Sequence, residues 1–296
     1  MHSMRLLMFG FISFSASVGS TFAADASWPK ELTFALLSTE SAPHVGRRWT
    51  PILDQLSKDL GITVKQVAAT DYRGSIEALG FHKAQIGLLG PKGYVEASSN
   101  NYANMAPIVH LQHANGSLGY RSCLIVHADS DLFGPEDIAG QTFAFNDPNS
   151  TSGYLVPMTF FLMEMGINPQ EYFSKLTFSG SHEASILAVA NKKVDVALTN
   201  LPDIQQMTRE GNIPRGMLRV IWVSKLIPND PIVIRKDRPD SLKQAIQHSL
   251  TTMKARTPAA FAAGGAWIGG FVNVDDAAYQ IIRGLNETAK RLAALK

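Results

Sequence analysis

Short apolar runs alternate with stretches of helical periodicity along the first hundred or so residues after the amino terminus. The apolar runs predict four strands, at residues 32–37, 62–68, 85–89 and 108–111. Between them, apolar residues recur at helical spacing over residues 49–60 and 72–82, as with Ile52, Leu56 and Leu60 in the first stretch. This strand, helix, strand order predicts parallel crossovers and an α/β sheet.

The same pattern repeats in the second half of the chain. It predicts strands at residues 122–126, 142–145, 176–178 and 194–198, and helices at residues 153–165, 182–191 and 202–209. Two further strands, at residues 218–223 and 231–234, precede a helical tail that opens at Ser241 and ends with a helix over residues 277–295. Two similar blocks predict two lobes.

If the tail packs on the first block, the chain crosses between the lobes near residues 119–121 and again near residues 222–231. The predicted architecture is therefore α/β, with residues 24–119 and 231–296 in lobe 1 and residues 120–230 in lobe 2. Two crossings form a hinge beside a cleft. In open α/β sheets ligands bind beyond the carboxyl ends of the strands, so loops leaving those ends are expected to line the cleft.

The amino terminus has the pattern of a secretory signal peptide over residues 1–23. A single Arg5 precedes an apolar run at residues 6–18, and Thr21 and Ala23 supply the small residues of a cleavage site. The run is shorter than the ~20 residues of a comfortable membrane span, although an uncleaved anchor is the alternative. No cysteine follows it, which excludes lipid attachment there. We expect an exported protein without a lipid anchor.

The amino-acid composition argues against several classes of protein. The chain has 296 residues, of which 45% are hydrophobic, and 27 basic side chains nearly balance 25 acidic ones. This balance argues against a broad nucleic-acid surface, and the apolar content argues against disorder. The single cysteine, Cys123, excludes an internal disulfide and a cysteine metal cluster. It is interpreted as a buried core residue.

The most informative segment joins a predicted strand to a predicted helix. After the strand ends at Phe145, turn residues lead to three consecutive hydroxyl residues, Ser150, Thr151 and Ser152. A helix start leaves backbone N–H groups unpaired and carries roughly half a positive charge. One hydroxyl is enough for a helix cap, which is the alternative interpretation. Three together predict a receptor for a tetrahedral oxyanion.

Two more helix starts carry candidate ligand groups. His182 follows Ser179 and Ser181 just after a strand, and its ring can donate an N–H to the same anion. Tyr72 follows a capping Asp71 and can point its hydroxyl across the cleft. A solvated histidine ring and a half-buried core tyrosine are the alternatives at these two positions.

Some residue types of catalytic and metal sites occur in the chain. The residue types of a hydrolytic triad are present as Ser150 or Ser152, His182, and Asp195 or Asp230. However, the chain has no G-x-S-x-G nucleophile elbow, and P-loop and dinucleotide motifs are absent. His110 and His113 have no acidic or cysteine ligand near them, so no metal or cofactor is expected. Glu40 is a cleft candidate, with a solvated loop carboxylate as the alternative.

Several motifs resemble those of the phosphonate-binding proteins of ABC importers. They are residues 147–157, 181–185 and 188–197, together with residues 37–41 and 227–233. The resemblance extends from about residue 32 to residue 237. It implies a type II periplasmic binding fold, a small phosphorus oxyanion as ligand and an ABC permease at the inner membrane as partner. It also implies a monomeric periplasmic protein with no catalytic activity.

The resemblance assigns roles to individual residues. It implies that Ser150, Thr151 and Ser152 hold the phosphorus oxygens together with His182 and Tyr72. It further implies that Asp230 helps to hold the amino group of 2-aminoethylphosphonate in relatives that bind this compound. Simpler alkylphosphonates, phosphate and phosphite stay open as ligands.

Two positions depart from the family pattern at the organic end of the site. Pro202 stands where the aminoethylphosphonate binders have a second carboxylate, and Asp203 follows it. Leu89 stands where they have a cleft tyrosine, although Tyr94 is nearby. Asp203 and Tyr94 are therefore included as candidate ligand residues.

Overall fold

The computed structural model describes residues 25–37, 39–98, 103–262 and 268–294; the predicted signal peptide lies outside these residues. The first block contains four strands: β1 (Glu31–Leu36), β2 (Thr63–Ala68), β3 (Ile86–Leu88) and β4 (Met105–His113). Three helices connect them: α1 (Ala42–Leu60), α2 (Tyr72–Gly80) and α3 (Pro91–Ser98).

The second block begins with the short strand β5 (Gly119–Tyr120). Its other strands are β6 (Ser122–His127), β7 (Thr142–Phe145), β8 (Lys175–Phe178), β9 (Val196–Asn200) and β10 (Leu218–Val223). Helix α4 follows β7 and consists of three consecutive segments, Thr151–Leu155, Val156–Thr159 and Phe160–Glu164, the outer two of π type. The remaining helices are α5 (Pro169–Tyr172), α6 (His182–Ala190) and α7 (Leu201–Arg209), with a 3₁₀ turn at Pro135–Ile138.

The chain then returns to the first block. Strands β11 (Ile227–Pro228) and β12 (Pro231–Arg235) lead to helices α8 (Asp240–Arg256) and α9 (Ala259–Ala262). Strand β13 (Ile268–Asn273), a 3₁₀ turn (Asp276–Tyr279) and helix α10 (Gln280–Ala294) complete the described chain.

The first sheet has six strands in the order β13-β4-β12-β3-β1-β2. Strands β2 and β3 run parallel to β1, whereas β12 pairs antiparallel with both β3 and β4. Alternate residues of β1 face opposite layers: Phe34 packs with α1 and α8, and Ala35 packs with α2, α3 and α10. The sheet is therefore mixed and covered on both faces.

The second sheet has five strands in the order β10-β6-β9-β7-β8. On one face Phe143 and Phe145 pack with Phe161 of α4. On the other face Cys123 is fully buried with residues of α6 and α7, which confirms its interpretation as a core residue. Both sheets thus carry a core on each side.

The two chain segments between the sheets pair with each other. Strand β5 lies antiparallel to β11, with Tyr120 opposite Ile227 and Gly119 opposite Pro228. They form a two-stranded ribbon, at the positions where the sequence predicts the crossings. Both connections pass through one narrow element, which is the geometry of a hinge. The lobe boundaries drawn from the sequence stay a prediction.

Helix α1 begins earlier than predicted. The sequence predicts a helix over residues 49–60, but α1 starts at Ala42 and continues through Pro51. The Thr50 hydroxyl donates to the Gly46 carbonyl at 2.8 Å, and Val45 and Trp49 are buried on the same face as Ile52. Tertiary burial of this face outweighs the backbone hydrogen bond that proline removes.

Candidate ligand-binding site

A cleft lies between the two sheets beside the β5–β11 ribbon, and residues of both blocks line it. It encloses a cavity of about 60 Å³. The predicted site residues that line it are Tyr72, Ser150, Thr151, His182, Asp203 and Asp230. Ser152 lies directly beside them, within reach of His182.

The three hydroxyl residues form the start of α4, and each is only 1% exposed. Ser150 caps the helix, since its Oγ accepts a hydrogen bond from the Gly153 N–H at 2.9 Å. The Thr151 Oγ1 accepts from the backbone N–H of Lys92 at 2.8 Å, so its own hydrogen is available to a bound acceptor. The Ser152 Oγ lies 3.5 Å from His182 Nε2. Ser150 acts as the cap and also lines the cleft with Thr151, whereas Ser152 lies directly beside them.

His182 is buried against the hydroxyl cluster. Its Nδ1 lies 3.2 Å from the Thr199 Oγ1 and 3.9 Å from the Asp203 carboxylate. Burial lowers the pKa of His182, and the Asp203 charge opposes this shift. Because its pKa is lowered, the imidazole favours its neutral form at pH 7, with Nε2 directed at Ser152. A bound oxyanion favours its protonated form.

Two tyrosines adjoin the hydroxyl cluster. Burial and the Asp230 charge raise the pKa of Tyr72 well above its ordinary value, and interaction with the Ser150 side chain opposes the shift. Tyr120, on the ribbon strand β5, behaves similarly and interacts with the side chains of Ser152 and Thr151. Both phenols therefore stay protonated and can donate a hydrogen bond into the cleft.

Asp230 and Asp203 bring carboxylates into the same cleft from different elements. Asp230 follows β11, and burial together with the Asp203 charge raises the pKa of Asp230 to about 8. Asp203 lies in the first turn of α7 and accepts a hydrogen bond from Asn200 Nδ2 at 2.7 Å. The helical turn that begins at Asn200 places both Pro202 and Asp203 on the cleft, and Asp203 is the one of the two that brings a carboxylate to it.

Glu40 and Arg48 line the cleft on the side of α1. Their side chains are paired at 2.9 Å, and both are largely buried. Burial raises the pKa of Glu40 to about 7, with Arg48 opposing the shift and Asp203 adding to it. Glu40 is thus part of the cleft and is not a solvated loop carboxylate.

Hydrogen bonds join the two lobes across the cleft. Besides the Lys92–Thr151 contact, the Ser41 N–H donates to Glu183 Oε2 at 2.8 Å. Arg48 Nη2 also lies 3.0 Å from each carboxylate oxygen of Glu210, at the end of α7. These contacts and the buried hydroxyl cluster describe a closed cleft.

The structure does not bring Tyr94 into this cluster. Its ring is 1% exposed and packs edge-on against Tyr279 at 4.9 Å, while its hydroxyl donates to Asp276. It therefore lies in the core between α3 and the carboxyl-terminal turn. Leu89, one residue before the cleft-lining Gly90, is fully buried in the same core.

Sequence reasoning missed several residues that line the cleft, namely Arg48, Tyr120, His113 and Asn229. His113 Nε2 lies 3.0 Å from Asn229 Oδ1, and burial lowers the pKa of this histidine. His113 ends β4 and Tyr120 lies at a predicted crossing, so position at a strand end or hinge is the signal that points to them. No comparable signal marks Arg48, which lies inside a helix.

Neither a metal-binding cluster nor a membrane-spanning helix is present among the described residues. They contain no group of three or more histidine, cysteine, aspartate or glutamate side chains arranged to hold a metal ion. Within the same residues, no helix combines the length and apolarity that crossing a bilayer requires.

Comparison with known proteins identifies the family. The model of the periplasmic substrate-binding protein of ABC phosphonate transporters matches residues 34–279. The chain belongs to this family. The resemblance inferred from the motifs is thereby confirmed, and the family is one of transport proteins that bind small substrates.

Two relatives illustrate the range of the family. A phosphonates-binding periplasmic protein of Escherichia coli K12 is 38% identical over 221 residues, which cover 73% of this chain and 64% of that protein. The match thus spans less than two thirds of the length of the E. coli relative. A phosphate-import protein, PhnD, of Mycolicibacterium smegmatis is 30% identical over 239 residues, 77% of this chain and 72% of the relative.

Solved structures agree with this assignment. A binding protein of an ABC phosphonate transporter from Pseudomonas aeruginosa has a TM-score of 0.81 and 33% identity, covering 89% of this chain and 87% of its own. PhnD1 of Prochlorococcus marinus, in complex with methylphosphonate, has a TM-score of 0.76 and 19% identity, covering 88% and 98%. They confirm the predicted fold class, a type II periplasmic binding fold of two α/β lobes.

Proposed function

We propose that this chain is the solute-binding protein of an ABC importer and that it captures a phosphonate or a closely related phosphorus oxyanion. The observation that carries the proposal is the start of α4, where three buried hydroxyl residues lie beside His182 and Tyr72 in an interlobe cleft. Hydroxyl donors, free helix N–H groups and the helix dipole together suit a compact oxyanion.

Binding in this account is hinge closure. The hydroxyl cluster and His182 belong to one lobe, whereas Tyr72 belongs to the other. A ligand that contacts both lobes favours the closed form, because only that form makes both sets of contacts. The ribbon of β5 and β11 is the hinge, and Tyr120 on β5 extends from it toward the ligand.

The proposal includes the partner and the compartment. The chain is exported through cleavage of residues 1–23, acts as a monomer in the periplasm and delivers its ligand to an ABC permease at the inner membrane. The E. coli relative is named as a periplasmic protein, which supports this compartment. Mass spectrometry of the protein secreted to the periplasm, with a mature terminus after Ala23, tests the export step.

The ligand class is tested by thermal shift and calorimetry. A ligand at a hundredfold excess over its dissociation constant stabilises the native state by about 2.7 kcal/mol, which raises the melting temperature by a few degrees. We expect this shift with methylphosphonate, and we compare phosphate and phosphite in the same assay. If none of the three shifts the melting temperature at millimolar concentration, the ligand class is wrong.

A hydrolase is the second candidate, because the side chains of Ser152, His182 and Asp203 follow one another in space as those of a catalytic triad do. The spacing does not match that role: Ser152 Oγ to His182 Nε2 is 3.5 Å, and His182 Nδ1 to Asp203 is 3.9 Å. The closer partner of Nδ1 is Thr199, at 3.2 Å. Phosphorus NMR of the protein with phosphonates and phosphate esters decides between the candidates, since a binding protein releases no inorganic phosphate.

A further inference from the structure

Arg48 presents an unused hydrogen-bonding group at the cleft. Its side chain is 11% exposed, and its Nη2 contacts the carboxylates of Glu40 and Glu210 at 2.9 and 3.0 Å. Its Nη1 is buried and has no hydrogen-bond partner among the residues that the structure describes. A guanidinium carries five N–H donors, and buried donors are nearly always paired. An acceptor that enters the cleft can satisfy this group.

Carboxyl groups line the same cavity as Arg48 and the hydroxyl cluster. They are Glu40, Asp203 and Asp230. Glu40 is paired with Arg48 at 2.9 Å, and Asp203 lies 3.9 Å from His182, next to the hydroxyl cluster. The cleft therefore offers hydroxyl donors, carboxylate acceptors and a guanidinium.

The cavity is larger than a bare oxyanion requires. It measures about 60 Å³. One ordered water needs roughly 10 to 15 Å³ by this measure, so the cavity holds about four to six waters. The phosphonate group displaces only part of them. Glu40, Arg48, Asp203 and Asp230 also line this cavity, so a ligand with further polar groups has partners there.

We propose that the cleft binds a phosphonate that also carries an α-amino acid group, with phosphonate oxygens on the α4 hydroxyls, the ammonium on Asp203 and Asp230, and the carboxylate on Arg48 Nη1. This inference rests on the proposed function and names its substrate class. A free carboxylate in the ligand is the new element, because an aminoalkylphosphonate leaves Arg48 Nη1 without an acceptor.

The charges of the cleft agree with such a ligand. Burial and the Asp203 charge raise the pKa of Asp230 to about 8, so this carboxyl group holds a proton at pH 7 unless a cation pairs with it. An incoming ammonium stabilises the ionised form of Asp230. The ligand carboxylate accepts charge-assisted hydrogen bonds from Arg48 Nη1, because Nη2 already contacts Glu40 and Glu210.

A series of ligands tests the inference by calorimetry. The amino acids are 2-amino-3-phosphonopropionate, 2-amino-4-phosphonobutyrate and 2-amino-5-phosphonopentanoate. The references are 2-aminoethylphosphonate, which lacks the carboxylate, and 3-phosphonopropionate, which lacks the amine. We expect at least one amino acid to bind tenfold or more tightly than both references.

The possible failures are distinguishable. If 2-aminoethylphosphonate binds as tightly as every amino acid, the inference is wrong while the proposed function stands. If no phosphonate in the series binds, both are wrong. The series needs no variant, so misfolding of a mutant cannot obscure the outcome.

Arg48→Gln separates ligand recognition from contact between the lobes. We expect it to weaken the preferred amino acid by 10- to 100-fold more than it weakens 2-aminoethylphosphonate. Glu210→Gln is the matched control: it removes the same interlobe ion pair and keeps the guanidinium, so it should change all ligands by one common factor. Equal losses for both ligands in Arg48→Gln would show that Arg48 only joins the lobes.

Discussion

The two ends of the cleft offer a ligand different kinds of hydrogen-bonding groups. At the α4 end, donors come from hydroxyls, from helix N–H groups and from a neutral His182, and no full positive charge is required. At the other end, Arg48 and three carboxyl groups are ionisable partners whose charged forms burial makes unfavourable unless they are paired. Uncharged donors suit a phosphorus oxyanion of variable charge. Ionisable groups instead favour a ligand whose organic part carries the complementary charge.

The difference also appears in how the two ends are built. The hydroxyl end comes from three consecutive residues whose positions the local helix start fixes. The charged end collects Glu40, Arg48, Asp203 and Asp230 from three widely separated parts of the chain. We therefore expect changes at the hydroxyl end to affect all ligands, and changes at the charged end to affect only some.

Gly153→Ala should disrupt the hydroxyl end most. A Cβ at this position would lie 2.2 Å from the Asn146 Cβ and 2.9 Å from the Ser150 Oγ, so the α4 start must shift. We expect methylphosphonate affinity to fall by more than about 100-fold, or ~2.7 kcal/mol, in a titration. Gly284→Ala in α10, where no atom lies within 4 Å, is the control and should bind normally. Normal affinity in Gly153→Ala would contradict the assigned geometry.

Ser152→Ala and Thr151→Ala should each weaken all phosphorus ligands by about 10- to 100-fold. A hydrogen bond to a charged partner contributes roughly 1.5 to 3 kcal/mol. The melting temperature of the unliganded protein should change little, and Thr252→Ala on α8 serves as a control far from the cleft. Unchanged affinity in both variants, measured by calorimetry, would show that these two hydroxyls do not contact the ligand.

Asp230→Asn should discriminate between ligands. The substitution keeps the shape and removes the charge, so we expect a loss of about tenfold, or ~1.4 kcal/mol, for 2-aminoethylphosphonate and little change for ethylphosphonate. In the wild type, preference for the amine should be modest. Equal weakening of both ligands would make Asp230 structural. Because the proposed site places Asp203 on the ammonium as well, some preference for 2-aminoethylphosphonate should remain in this variant.

The same variant should alter how stability depends on pH. The pKa of Asp230 is about 8 in the folded protein against an ordinary value of 3.8, so the folded state retains a proton that the unfolded state loses. Its contribution is intact below about pH 4 and is lost as pH rises to about 8. Relative to wild type, Asp230→Asn should gain on the order of 4 kcal/mol between pH 5 and pH 9, since each pH unit up to about pH 8 contributes about 1.4 kcal/mol. The measurement is the free energy of unfolding in urea for both proteins across this pH range. A difference between them that does not change with pH would contradict the assignment.

The sequence predicts the hydroxyl end well because the signal is local. Three consecutive hydroxyl residues between a strand and a helix specify both the element and its chemistry, and His182 follows the same rule at the next strand. Strands β7 and β10 match the predicted bounds for a similar reason, since each is a short apolar run with clear ends. Periodicity identifies such segments without tertiary information.

The charged end was harder to predict because it depends on tertiary packing. The approach of Arg48 to the cleft requires α1 to begin at Ala42 and to pass through Pro51, which local propensity disfavours. Tyr94 and Tyr120 show the same limit: sequence proximity favoured Tyr94, yet the hinge ribbon brings Tyr120 to the site. Strands β5, β11 and β13 were also missed, because two are only two residues long and the third is rich in glycine.

A crystal structure of the exported protein with methylphosphonate would show whether the phosphorus group binds at the start of α4. We expect the phosphorus atom in the interlobe cleft, with its oxygens within hydrogen-bond distance of Thr151, Ser152 and His182 and with Tyr72 approaching from the other lobe. Phosphorus density at any other place on the molecule, or a closed cleft that holds no ligand at saturating methylphosphonate, would contradict the account.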